Sequence, residues 1–263
     1  ILIENRAGAG GVIGSQVVAK SPSDGYTLVF GSIASHGILP AIQIPQPYDP
    51  LKDFTPVSLV AITPNVLLAN VNAPAKNVAE LISLAKSQPG KLNFGSTSLG
   101  GSPHMSGELL KSQAKIQMVH VPYKGNAPAL ADLLAGVLPF TFDTVVTAVP
   151  HIRSGGLRPL AVSGPKRASS LPNVPTMQEL GYKDFDITQF VGLMVPAKTD
   201  AAIVRRLQEE VAKALKAPEV IEKLQNEGGN DLIGGSPEAF AAVIQRELAM
   251  YKKLVTDAKI SKD

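Results

Sequence analysis

Residues 90–125 read GKLNFGSTSLGGSPHMSGELLKSQAKIQMVHVPYKG, and the organisation of this stretch decides the fold. Lys91 to Gly95 has the composition of a strand. A small-residue loop, Ser96 to Ser102, follows it; a helix opens at Pro103, a second strand runs from Met118 to Pro122, and Tyr123-Lys124-Gly125 ends the unit. Proline suits the first turn of a helix, where its missing N–H is no loss, and Ser102 before it suits the N-cap. Gly95, Gly100 and Gly101 let the backbone approach a bound molecule closely. Asn126-Ala127-Pro128 marks a second helix start directly after Gly125. Helix starts present unpaired N–H groups and a partial positive charge, so two of them, one after each strand, form a wall suited to a carboxylate or phosphate. The same pattern also describes ordinary βα turns with ordinary caps.

Working outward, strands and helices alternate along most of the 263 residues, which predicts an α/β fold with largely parallel sheets. Toward the N-terminus, Ile1 to Lys20 reads strand, glycine loop, helix, and Tyr26 to Phe30 reads as a buried strand. Gly31 to Gly37 is a small polar loop carrying Ser32, Ser35 and His36. Ile44 to Pro56 is a proline-rich irregular excursion. Two strands are expected at Val57 to Ile62 and Asn65 to Ala69, split by Thr63-Pro64. Val78, Leu81, Ile82 and Ala85 have the spacing of an amphipathic helix, stopped by Pro89-Gly90.

Toward the C-terminus, Phe140 to Thr144 is a strand delivering Asp143 and Thr144 at its carboxyl end, where open α/β sheets present ligand-facing groups. Asp143 in that position would equally serve to cap the next helix. Further strands are expected at Leu157 to Ser163 and Gln189 to Val195, with a short helix at Thr176 to Leu180 between them. Helices are expected over Asp200 to Lys216, Pro218 to Glu227 and Ser236 to Ala258.

Composition narrows the function classes. Apolar residues make up 44% and charged residues 18%, which fits a globular chain with a sizeable core. A net charge of +3, with the basic residues scattered, gives no nucleic-acid footprint. The absence of cysteine excludes disulfides and thiolate metal sites. No run approaches the ~20 apolar residues of a membrane-spanning helix. The four histidines, His36, His104, His120 and His151, show no metal-ligand spacing, and neither a G-x-S-x-G elbow nor a P-loop occurs. No acid, base and nucleophile assemble, so no catalytic residue, metal or cofactor is assigned. Gly8, Gly10 and Gly14 partly match a dinucleotide fingerprint, which leaves a nucleotide-binding enzyme as the alternative from another class.

A set of motifs carries a resemblance. It comprises Glu4-Asn5-Arg6 with Gly8-Ala9-Gly10-Gly11 and Ile13-Gly14; Asp24-Gly25-Tyr26-Thr27-Leu28; and Tyr48-Asp49-Pro50-Leu51-Lys52-Asp53-Phe54. It continues with Lys91-Leu92-Asn93-Phe94-Gly95-Ser96, Gly101-Ser102-Pro103-His104, Val121-Pro122-Tyr123-Lys124-Gly125 and Leu171-Pro172-Asn173-Val174-Pro175-Thr176. Together and in order, they resemble the substrate-binding proteins of tripartite tricarboxylate transporters, the Bug (Bordetella uptake gene) family. The resemblance implies a periplasmic, two-lobed type II periplasmic-binding fold that closes by a hinge on a small carboxylate in the cleft between its lobes. That carboxylate would be a dicarboxylate, a tricarboxylate, an acidic amino acid or an aromatic acid, delivered to membrane transporter subunits. A ligand sensor for a signalling partner would share the same architecture.

By position, the resemblance maps lobe one onto residues 1–95 and 193–263 and lobe two onto 96–192, with crossings near Ser96 and Gly192. The family's ligand loops fall on Ser32, Ser35 and His36; on Ser96, Thr97, Ser98, Gly101 and Ser102; on Tyr123, Lys124 and Gly125; and on Asp143 and Thr144. Family members begin with a signal peptide and a first βα unit, and this sequence starts where their second strand would lie. The expectation is therefore of a longer native protein, a monomer when whole. A chain lacking that unit would expose a sheet edge through which it could dimerise.

Overall fold

The periodicities that predict alternating strands and helices are realised in the computed structural model, which describes residues 1–6, 8–42, 45, 47–96, 101–227 and 229–257. In chain order the elements are α1 (Val12–Ala19), β1 (Val29–Ser32), α2 (Leu39–Ile42), β2 (Phe54–Asn70) and α3 (Val78–Ser87). Then come β3 (Asn93–Ser96), α4 (Ser102–Ala114), β4 (Val119–Pro122), α5 (Asn126–Leu134), β5 (Phe140–Thr144) and α6 (Val145–Arg153). The chain finishes with β6 (Leu157–Val162), β7 (Thr188–Pro196), α7 (Ala201–Ala214), α8 (Pro218–Val220), β8 (Asp231–Leu232) and α9 (Pro237–Asp257).

These elements divide into two compact units, residues 1–62 with 190–263, and residues 63–189. The first boundary differs from the expected crossing near Ser96. The reason is the carboxyl half of β2, which pairs with β5 and β6 and so joins the second unit together with β3. The second boundary falls close to the expected Gly192.

In the first unit, β1 pairs antiparallel with β7, Val29 opposite Met194 and Ser32 opposite Val191. The amino half of β2 pairs with β8 at Ala61 and Ile62. Val57, Val195 and Val204 form an apolar cluster with Leu28, Leu193 and Leu207 around it. A second nucleus is aromatic: the His36 ring lies 5.5 Å from Tyr48 and 4.8 Å from Phe54, and Tyr48 and Phe54 meet edge to face at 5.4 Å. α9 buries Phe240, Ile244, Leu248, Tyr251 and Leu254, one stripe at helical spacing.

The second unit is a three-layer sandwich. β2 pairs antiparallel with both β5 and β6, and β3 pairs in parallel with β5 and β4. Side chains alternate along β2, so Leu67 and Ala69 face one layer and Val66 and Leu68 the other. On the first face α3 buries Val78, Leu81, Ile82 and Ala85 beside Leu110 of α4 and Phe94, Phe140 and Phe142 of the strands. On the second, α5 contributes Leu130 and Leu133, and α6 contributes Val145, Ala148 and Val149. Each fully buried Leu or Phe contributes roughly 1.5–3 kcal/mol of transfer free energy, so these two faces hold the sandwich together.

The sheets are not largely parallel as expected: β1–β7, β2–β5, β2–β6 and β2–β8 pair antiparallel, and β3 pairs in parallel with β4 and β5. Several local expectations are corrected as well. The two strands split at Pro64 are one 17-residue strand. Pro64 lies between the ladder to β8, which ends at Ile62, and the ladder to β5, which begins at Asn65. Ile1-Leu2-Ile3 is exposed and is not a strand. The partial dinucleotide fingerprint at Gly8 to Gly14 therefore lacks the strand that would feed it. The buried strand expected at Tyr26 to Phe30 is displaced to Val29–Ser32, with Tyr26 89% and Phe30 65% exposed. The polar loop after it is helical, a wide turn over Ala34–Ile38 that runs into α2. Thr176 to Leu180 is a turn rather than a helix, and the expected helix from Pro218 is three residues followed by a wide turn over Ile221–Glu227.

Candidate functional site

Parallel pairing places the carboxyl ends of β3, β4 and β5 at one end of the second unit's sheet. Each is followed by a helix: α4 from Ser102, α5 from Asn126 and α6 from Val145. Three helix starts thus open at the same end of the sheet, a positive rim made of backbone.

Gly125 is the cap residue of α5 at φ 108°, a conformation that favours glycine, and among the described residues no heavy atom other than its chain neighbours' lies within 4 Å of where its side chain would begin. Among the described residues, the space beside the Gly125 Cα is therefore open. Ser102, expected as the cap of α4, is instead its first residue, with Gly101 as the cap. Its hydroxyl donates to Asn65 Oδ1 at 3.2 Å. Asn65 was not anticipated by the sequence reading. Its Nδ2 donates to Ser106 Oγ and to the Ile187 carbonyl, and its N–H donates to Ser163 Oγ at 2.9 Å. Ser163 follows the end of β6, so one buried asparagine ties the middle of β2 to the end of β6 and the first turns of α4. The only sequence signal is an amide directly before the apolar run Val66-Leu67-Leu68-Ala69.

Asp143 is fully buried (0% exposed). Its Oδ1 accepts from the Thr144 N–H (2.7 Å), from Thr147 Oγ1 (3.0 Å) and from Asn126 Nδ2. Its Oδ2 has no hydrogen-bond partner among the described residues. Burial pushes the carboxyl above the usual aspartate range, and the three donors on Oδ1 only partly offset that. Thr144 caps α6 by backbone position, and its hydroxyl lies 2.7 Å from that of Thr147. Because Thr144 stands opposite Asn65 in the ladder, the Asp143 and Asn65 networks adjoin. Asn126 and Thr147 complete this cluster; both were missed in the sequence, where each reads as an ordinary first-turn polar residue.

Ser96, the last residue of β3, is fully buried, and its hydroxyl lies 2.6 Å from His120 Nε2. The His120 ring stacks on that of His104 at 4.0 Å. A serine against an imidazole resembles a nucleophile with its base, but His104 meets His120 face to face, and a catalytic base is oriented by an acceptor in its ring plane. Tyr123 donates from its N–H to the Ser96 carbonyl (2.9 Å) and from its hydroxyl to Asp132 Oδ2 (2.7 Å), and burial with that aspartate pushes the phenol up to about 12. Lys124 is exposed. Thr97 and Ser98 lie outside the described residues.

Ser32, Ser35 and His36 sit in the first unit. Ser35 Oγ lies 3.3 Å from Ser32 Oγ and 2.9 Å from His36 Nδ1, and Tyr48 donates to the Ser35 carbonyl at 2.6 Å. His36 is fully buried against its aromatic neighbours, and desolvation lowers its pKa to about 4. It is neutral at physiological pH and part of the first unit's core. Among the described residues no group of three or more His, Cys, Asp or Glu could hold a metal ion, and no helix is long and apolar enough to cross a membrane.

A family described as "Tripartite tricarboxylate transporter family receptor" matches residues 1–260. The chain belongs to this family. The protein BugT of Bordetella pertussis is 35% identical over 267 residues, 99% of this chain and 80% of that protein. Among solved structures, the R. palustris protein Rpa4515 with adipate superposes with a TM-score of 0.83 at 35% identity, covering 99% of this chain and 87% of that one. MatC of Rhodopseudomonas palustris with bound malate gives a TM-score of 0.78 at 32% identity over 94% and 85%. The fold of this receptor family, two-lobed and α/β, of type II periplasmic-binding class, is the fold of this chain.

Proposed function

We propose that this receptor captures a small carboxylate in the periplasm and delivers it to a tripartite tricarboxylate-type membrane transporter, without transforming it. The observation that carries the reading is the convergence of three helix starts on the end of the sheet that also holds Asp143 with one unpartnered oxygen. Backbone N–H groups at Gly101–Ser102 and Gly125–Asn126, with that of Val145 at the start of α6, supply the donors a carboxylate needs, without a charged side chain. Asp143 accepts a hydrogen bond from a hydroxyl, amine or bridging water carried by the ligand, because a bare carboxylate would be repelled there. Ser96, Thr97, Ser98, Ser102, Tyr123 and Lys124 complete the second unit's share of the site, and Ser32, Ser35 and His36 are the positions proposed in the first. Two relatives carry adipate and malate in their structures, which supports a short-chain carboxylate as the ligand class.

The test is a thermal-shift screen against mono-, di- and tricarboxylates, acidic amino acids, aromatic acids and nucleotides. A ligand at 100 times its dissociation constant stabilises the folded state by about 2.7 kcal/mol, an upward shift on the order of 5 °C for a domain of this size. A shift with one carboxylate class is expected. Gly125→Ala, which places a methyl in the open space beside that Cα, should weaken that ligand at least tenfold. A shift with nucleotides alone would overturn the reading.

A further inference from the structure

Because β2 runs unbroken through Pro64, Asn65 lies in the interior of a strand and is fully buried. Asparagine is disfavoured there, since its amide competes with the backbone for hydrogen bonds. Its orientation is settled by chemistry. The Ile187 carbonyl can only accept, so the atom 3.2 Å from it is Nδ2. That nitrogen also donates to Ser106 Oγ at 3.2 Å, and Ser106 passes its own proton to the Ser102 carbonyl at 2.9 Å. Oδ1 is left facing Ser102, and because it too can only accept, the Ser102 hydroxyl directs its single proton inward, at 3.2 Å. A buried amide satisfied in this way supplies one defined geometry more than it supplies stability.

Two helix starts meet at this residue. Through its side chain Asn65 holds Ser102, the first residue of α4, and Ser106 one turn further on. Through the ladder it stands opposite Thr144, the cap of α6. We propose that Asn65 is a positioning residue for ligand capture: its amide fixes the start of α4 relative to the start of α6. Ser102 then meets the ligand through its main-chain N–H, and its hydroxyl is the anchor rather than a ligand contact. The proposal rests on the carboxylate reading of the site. A carboxylate held by main-chain donors is sensitive to where they stand, because a hydrogen bond stretched from about 2.9 Å to about 3.6 Å is no longer one.

The bond between Ser102 and Asn65 can be removed from either side. Ser102→Ala deletes the donor, and Asn65→Leu replaces the amide with an apolar group of similar size. Titration calorimetry with malate and adipate as probes should show roughly five- to tenfold weaker binding in each variant. The double variant should bind no more weakly than Asn65→Leu alone, because the bond that Ser102→Ala removes is already gone. Losses that multiply in the double variant would assign the Ser102 hydroxyl to the ligand itself and overturn the proposal, as would unchanged affinity in Ser102→Ala. Hydrogen exchange on the ligand-free chain separates positioning from general loosening. The Met105 N–H donates to the Gly101 carbonyl at 3.0 Å at the start of α4, and the Leu81 N–H donates to the Asn77 carbonyl at 3.1 Å at the start of α3. Met105 should exchange faster in Ser102→Ala while Leu81 is unaltered; an equal rise at both, or no rise at Met105, overturns the proposal. This measurement decides the positioning claim by itself if Asn65→Leu does not fold or if the unaltered chain binds neither probe. In the second case it is the carboxylate reading that loses its support.

Discussion

Between pH 7 and pH 5, acid should weaken the first unit through His36. The ring is fully buried between Tyr48 and Phe54, and burial lowers its pKa from 6.5 to about 4. The unfolded chain therefore takes up this proton before the folded one does. Stability is fully present above the unfolded value near pH 6.5 and is lost as the pH falls toward 4, below which the loss levels off. At about 1.4 kcal/mol per unit of pKa difference, the loss between pH 7 and pH 5 is about 2 kcal/mol and its limit about 3 kcal/mol. His120 shifts in the same direction, to about 4, but it is partly exposed, and its contribution is smaller by solvent screening. The assay is urea denaturation at pH 7 and pH 5, comparing the unaltered chain with His36→Asn, whose amide keeps a partner for the Ser35 hydroxyl and does not titrate. Whatever the variant costs at pH 7, the drop on acidification should be smaller in it by about 2 kcal/mol. Parallel losses in the two proteins would refute the assignment.

Two further outcomes are expected. A methyl added at Gly107 would fall 2.0 Å from Cε2 of Phe94. Gly107→Ala should therefore cost about 1–3 kcal/mol or more by overpacking, a melting-temperature drop of about 4–10 °C in differential scanning calorimetry; an unchanged temperature would show that Phe94 can move freely. For Asp143, the raised pKa means that the folded state holds the proton more tightly than the unfolded state, so stability falls as pH rises from the unfolded value near 3.8 through the raised folded one. Asp143→Asn should remove that fall while its amide oxygen still accepts from Thr144 and Thr147, and a denaturation profile identical to that of the unaltered chain would count against it.

The helices and the second unit's strands were legible because their apolar residues repeat at clear periods. The stripe Val78, Leu81, Ile82, Ala85 is the buried face of α3, and Pro103 does mark the first turn of α4. Breakers misled where tertiary context overruled them. Pro64 reads as a strand end, yet β2 passes through it at the point where one ladder gives way to another. Gly31 to Gly37 reads as a loop because its residues are small and polar, and burial against Tyr48 and Met194 folds it into a helical turn instead. At the candidate site the helix starts and Asp143 were visible as motifs. Asn65, Asn126 and Thr147 were not, since nothing local distinguishes them; the ladder between β2 and β5 and the start of α5 bring them to the same end of the sheet. His104 and His120 were visible only as histidines without a ligand spacing, because the stack between them joins a helix to a strand across the sheet face.

The order of the two units along the chain bears on how the protein is made. Residues 63–189 form a continuous stretch, and its ladders, such as Asn65 with Thr144 and Gly95 with Val121, close over shorter loops than the pairing of Val29 with Met194. The other unit needs both ends of the chain: Val29 finds its partner only at Met194. Short loops close sooner and at less entropic cost than long ones. During synthesis the inserted unit can complete its sandwich while the first 62 residues still await the segment that begins at Phe190. A nascent chain halted near residue 189 would therefore carry one folded unit and one exposed, half-built one, and the latter is where a chaperone would be expected to hold.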